Sequence, residues 1–166
     1  MTKAIFRLRN IDYFYCHKLQ TSNLKLQTSN LKLQTSNQIT MNIPSDLHYT
    51  TDHEWIKIIG NTALVGITDF AQGELGDIVF VEIETVGSHL EKGQTFGTIE
   101  AVKTVSDLFM PVSGKVLEVN SKINESPELI NKDPYGEAWL IKVAVDDAAQ
   151  ISELMDATAY AGMINS

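Results

Sequence analysis

The chain has 166 residues, enough for one domain of ordinary size, and its 43% hydrophobic and 20% charged content is that of a globular protein. The net charge of −8 is uneven: residues 1–40 hold six of the 13 Lys+Arg and one acid, whereas 41–166 carry 7 basic and 20 acidic side chains, −13 net. Such a surface repels nucleic acid and anionic membranes and favours partners with basic mouths. No apolar run approaches the roughly 18 residues of a membrane span.

The first forty residues have a texture of their own. Leu19–Lys25 repeats as Leu26–Lys32 and, truncated, as Leu33–Asn37. The leucines at 19, 24, 26, 31 and 33 are spaced by five and two, so they form no coiled-coil seam. The unit is also too rich in Thr, Ser and Asn to favour a helix. Identity this complete is what a tandem duplication of seven codons produces. The preferred expectation is that residues 1–40 are a non-domain extension, upstream sequence ahead of a start at Met41. A basic, acid-poor transit peptide is the alternative. The only cysteine, Cys16, lies here, so 41–166 has no thiol for a disulfide, a thiolate metal site or a cysteine nucleophile.

From Glu54 onward, short strand signals alternate with turns. Trp55–Ile59 and Thr62–Ile67 flank Gly60-Asn61 as a hairpin, and Thr68–Leu75 reads as a short helix capped by Thr68 or Asp69. Ile78–Ile83 reads as a strong buried strand, rich in β-branched and aromatic residues. Further strands are expected at Thr95–Val102, Thr104–Phe109, Lys115–Val119 and Ala138–Val143. Asp146 or Asp147 is expected to cap a C-terminal helix with Ile151, Leu154 and Met155 on one face, covering one end of a barrel. No long amphipathic helix separates the strands, so the pattern predicts a mainly β barrel or sandwich with short flanking helices.

Lys103 is the most informative residue. It sits between two strand runs with neither Gly nor Pro beside it, and Pro111-Val-Ser-Gly114 follows as a turn. A lysine at the tip of a rigid hairpin projects its amine where a modifying enzyme can reach it. An ordinary solvated turn lysine is the plainer reading of that residue alone.

The wider pattern resembles the glycine cleavage H proteins over essentially all of 41–166. The resemblance rests on His53-Glu54-Trp55, Val65–Asp69, Leu75–Glu82, Glu100-Ala-Val-Lys103, Ser106-Asp107, Pro111–Gly114, Glu118–Asn120, Ser126–Asn131 and Asp133–Gly136, in that order and spacing. Ala138 departs from it, since the family more often has glycine there, a difference that matters only if the backbone needs positive φ. Residues 1–40 match nothing in the family.

The resemblance implies a barrel-sandwich hybrid carrying lipoate in amide linkage on Lys103, a shuttle rather than an enzyme, with no catalytic residues and no metal. Its implied partners are a glycine decarboxylase (P protein), an aminomethyltransferase (T protein) and a dihydrolipoyl dehydrogenase (L protein), between which it passes the aminomethyl group of glycine and then the dithiol. A lipoate ligase or lipoyl/octanoyl transferase would install the group, with Glu100 helping it select the lysine. Glu54 and Asp107 match positions lining the cleft where the arm rests, Glu74 more loosely; each reads equally as a solvated surface acid. The compartment would be the cytoplasm in a bacterium, or the mitochondrial matrix if residues 1–40 are a transit peptide.

Biotin carriers put methionine on both sides of their lysine, and lipoyl domains of oxo-acid dehydrogenases usually put aspartate before it; here the residues are Val102 and Thr104. An H-like relay that donates lipoyl groups to other enzymes needs the same lysine and is the alternative function. The histidines lack metal-site spacing, and no phosphate loop or nucleophile elbow occurs. His53 beside Glu54 suggests an acid–base pair, but neighbours in a strand point to opposite faces, so the two are not expected to cooperate.

Overall fold

The structure, a computed structural model, describes residues 41–166; the repeat segment and both expectations for it lie outside the described residues. Among the described residues nine strands form two antiparallel sheets. The larger contains β1 (His48–Tyr49), β2 (Glu54–Ile59), β3 (Thr62–Ile67), β9 (Ile141–Val145), β8 (Gly114–Val119) and β5 (His89–Leu90), in that spatial order. The smaller places β6 (Thr95–Ala101) between β4 (Ile78–Glu82) and β7 (Thr104–Phe109). This mainly β architecture fits the expected barrel-sandwich class.

The main core lies between the sheets. Ile56, Val65, Val116 and Val143 from the larger meet Ile78, Val81, Ile99 and Leu108 from the smaller, all buried. A second cluster forms around Tyr49, Trp55 and Tyr160, joined by Leu47. The indole of Trp55 lies over Gly66, where an added Cβ would sit 2.6 Å from the ring, so glycine is required for this close approach.

Several elements match the sequence reading closely. β3 and β7 have the expected bounds, and helix α1 (Asp69–Leu75) is capped by Thr68, whose Oγ1 accepts from Ala71 N–H at 3.2 Å. Ala138 is buried and has no positive φ, so the family's glycine is not needed there.

Other expectations are corrected. Ile78–Ile83 is not buried throughout: a bulge between Ile78 and Phe80 inserts one residue, and both Val79 and Phe80 emerge on the outer surface. Unbroken two-residue alternation from Ile78 would turn Phe80 into the core; the bulge interrupts it, so Val81 is the next residue to point inward. The last strand is Ile141–Val145 rather than Ala138–Val143, because the backbone before it is bonded elsewhere: Ala138 N–H donates to the Asp133 carbonyl at 3.3 Å and the Trp139 carbonyl accepts from the Asn120 amide at 2.8 Å.

The C-terminal helix is two elements. Asp147 caps a 3₁₀ helix, Ala148–Glu153. The chain then straightens so that Met155 exchanges two backbone hydrogen bonds with Tyr49, both 2.9 Å. Helix α4 (Ala157–Ile164) starts only after a new cap at Asp156. Ile151 and Leu154 still pack on the main core, whereas Met155 packs on the second cluster. Two short helices, α2 (Ser121–Glu125) and α3 (Leu129–Lys132), had no counterpart in the sequence reading.

Candidate functional site

The β6–β7 hairpin ends in a two-residue turn, Val102-Lys103, closed by the Ala101↔Thr104 pair. Neither turn residue has positive φ, which is why valine and lysine fit where the commonest hairpin turns demand glycine or asparagine. The apex is pinned from the side, since Val102 N–H donates to the Asp77 carbonyl at 3.1 Å. Lys103 is exposed and joins no ion pair among the described residues. Its amine is thus presented on a fixed stalk and left free.

Glu100 and Asp107 lie on the outer face of the same hairpin. Glu100 is opposite Val105 and Asp107 is opposite Thr98, so the two acids are diagonal neighbours; both are exposed. Glu74, at the end of α1, is also exposed.

Glu54 is different. It opens β2 in the other sheet and is only 2% exposed. Its Oε1 accepts from the N–H of Phe109, the last residue of β7, at 3.1 Å, and its Oε2 accepts from the Thr50 hydroxyl. Glu54 N–H in turn donates to Thr50 Oγ1 at 3.0 Å. Burial pushes the carboxyl up to about 7, against the stabilising pull of the Thr50 and Phe109 hydrogen bonds and with a smaller push from Asp52. The structure therefore brings Glu54, 55 residues away from Phe109 in sequence, to the root of the Lys103 hairpin.

A cleft of about 260 Å³ opens at that root. Phe109, Met110 and Met155 give it apolar walls, Glu54 and Thr50 lie in its lining, and Lys92 and Glu153 pair at 2.8 Å on its rim. Asp107 and Glu74 are not among its lining residues. Thr50, Lys92, Glu153 and Met155 escaped the sequence reading, because three separate loops and the C-terminal segment converge here and no local motif records that.

His53 and Glu54 do not act as a pair, though for a reason other than strand alternation. His53 precedes β2 with φ of 72°. Its Nδ1 lies 2.9 Å from the Tyr160 hydroxyl, which is 2.7 Å from Thr68 Oγ1. Burial holds the imidazole below its usual value, opposed by Asp52 and Glu74. This chain of polar contacts ties α4 to the cap of α1.

An unpaired lysine on a pinned hairpin, with a largely apolar cleft and a buried acid at the hairpin's foot, is the layout of a carrier of a covalently attached group. Comparison with known proteins makes the class specific. Residues 47–166 match the family model described as glycine cleavage H-protein. The glycine cleavage system H protein of Bacteroides thetaiotaomicron is 59% identical over 125 residues, covering 75% of this chain and 99% of that one. The H protein of Chlorobium limicola is 58% identical over 126 residues, covering 75% and 98%. The crystal structure of the Mycobacterium marinum H protein aligns with a TM-score of 0.69 at 42% identity, over 75% of this chain and all of that one. The chain belongs to the glycine cleavage H-protein family: it is a lipoyl carrier of glycine cleavage, not a catalyst, and works with the other components of that system.

Proposed function

We propose that Lys103 is the residue that carries lipoate, and that 41–166 is the carrier domain. The observation that supports this best is the exposed, unpaired amine at the apex of a hairpin braced by the Val102–Asp77 backbone bond. The fit extends to the cleft, whose apolar walls suit an alkyl chain and whose buried acid suits an ammonium. When bound, lipoate supplies the dithiol that takes up and surrenders the one-carbon unit with its amine.

The chain's own residues present, shelter and release the arm. From Lys103 back to Phe109 is six residues of strand, roughly 20 Å, so an arm reaching the cleft runs along the hairpin past Asp107. Asp107 meets it on the open surface. Glu54 meets it inside, where its carboxylate would accept hydrogen bonds from an ammonium, and the apolar walls exclude water. Glu100, three residues before Lys103, marks the lysine for the lipoate ligase or lipoyl/octanoyl transferase.

The partners in this reading are the decarboxylase, the aminomethyltransferase and the dihydrolipoyl dehydrogenase. One tethered arm visits all three sites, and the tether raises its effective concentration at each. The relatives named above are bacterial, which favours a cytoplasmic setting for this chain. Among the described residues no helix is long and apolar enough to cross a membrane.

Reconstitution tests the reading. Lipoylated wild-type protein should support glycine cleavage with the three partner enzymes, and Lys103→Arg should support none while keeping the wild-type melting curve. Glycine cleavage by Lys103→Arg would overturn the assignment.

A further inference from the structure

The outer face of the smaller sheet is unusual in what it exposes. The bulge in β4 turns out two consecutive apolar side chains, Val79 at 48% and Phe80 at 52% exposure. Phe80 is in register with Glu100, which is in register with Val105, itself 61% exposed, so these three form a row across the sheet. The next row is Glu82, Thr98 and Asp107. Val102, 68% exposed, stands at the tip beside Lys103. The face thus interleaves exposed apolar side chains with three exposed acids, and Lys103 is the only cation on these three strands and the β6–β7 turn.

A lone exposed apolar residue is ordinary, but several grouped beside one presented lysine mark an interaction surface. We infer that this face, with Phe80 and Val105 on either side of Glu100 and with Glu82 and Asp107 in the next row, is the docking surface for the lipoate-attaching enzyme, which would offer apolar recesses beside Lys or Arg. The inference rests on the assignment of Lys103 and extends it. Unmodified protein has no arm to be gripped, so the attaching enzyme must draw its binding energy from the polypeptide around the lysine. Enzymes that act later can hold the arm itself. Charge complementarity sets the rim: acids on the carrier face call for a basic partner. Glu100 alone is a single exposed carboxylate, and Phe80 and Val105 on either side of it supply the apolar anchors that binding surfaces use.

The test is the rate of lipoylation of the full unmodified chain by lipoate ligase with lipoate and ATP, followed by intact mass. Phe80→Ser and Val105→Ser should each lower kcat/KM by about tenfold or more, the loss expected for a central anchor. Leu117→Ser removes an apolar side chain, 42% exposed, from a bulge in the other sheet and should leave the rate within about twofold, as a site outside the surface would. Glu82→Gln should flatten the salt dependence of the rate. Melting curves of all the variants should superimpose on wild type, since the removed groups are exposed.

Wild-type rates for both Phe80→Ser and Val105→Ser would overturn the inference, as would a loss confined to reaction with the aminomethyltransferase, which would give the face to that partner. If wild-type chain itself gained no lipoyl group at Lys103, the underlying assignment would fall instead. The two failures are therefore distinct.

Discussion

Glu54 should make the domain less stable as pH rises, and replacing it with glutamine should remove that loss. The carboxyl is 2% exposed and titrates at about 7 in the fold against an ordinary value of 4.5. Folding therefore favours its protonated form. A group whose folded value is raised contributes its full stability below the unfolded value and loses it as pH climbs through the folded one. The window here is roughly pH 4.5 to 7, and the displacement corresponds to about 3 kcal/mol. That is a large fraction of the 5–15 kcal/mol that holds an ordinary domain together, and roughly 10 °C in melting temperature.

Glutamine preserves the geometry. Its oxygen can accept from Phe109 N–H, and its amide can donate to the Thr50 oxygen, whose hydroxyl is free to rotate. Urea unfolding of wild type and Glu54→Gln at intervals from pH 4 to 8 would measure the difference directly, with the common effect of the −13 surface cancelling. The two should agree near pH 4 and diverge until the variant is about 3 kcal/mol more stable at pH 8. Parallel curves across the whole range would refute the reasoning and place the carboxyl in contact with water. The same experiment bears on function, because a buried anion retained at a cost in stability is what a site for a cationic guest requires.

Three further outcomes follow from specific contacts. Gly114→Ala should destabilise by about 3 kcal/mol, because an added Cβ would collide with the Ala144 carbonyl of the neighbouring strand and lie 2.7 Å from Val143 Cγ1; chemical denaturation reads it. Tyr160→Phe should cost about 1–2 kcal/mol by removing the hydroxyl shared between His53 Nδ1 and Thr68 Oγ1, again measured by denaturation. Glu100→Gln should slow lipoylation of Lys103 while leaving the melting temperature unchanged, since its side chain is exposed; an unaltered rate would reduce Glu100 to a solvated strand acid.

The hairpin that presents Lys103 was legible in the sequence because its signals are local. Thr104–Phe109 and the stretch before it are rich in residues that fit a pleated surface, and the turn needs no positive φ, so Val102-Lys103 leaves no break. The α1 cap at Thr68 was legible for the same reason. What the sequence concealed depends on single residues or on distant partners. The bulge in β4 breaks the alternation that would have turned Phe80 into the core. Leu154 and Met155 continue the apolar spacing of a helix, yet Met155 is claimed by Tyr49 more than a hundred residues earlier, which splits the helix in two. Helices α2 and α3, five and four residues long, are too short to show a period. Glu54 could not be told from a surface acid, because its burial is set by Phe109 N–H in the other sheet. The hairpin was therefore readable in advance, whereas the cleft at its root had to be seen folded.

The central claim is that Lys103 carries the working group. It is tested most directly by the intact mass of the protein purified from its native cells, with fragmentation across Gly97–Gly114. One lipoyl group, localised to Lys103, is the predicted result. An unmodified Lys103 in cells that lipoylate their other carriers would contradict it.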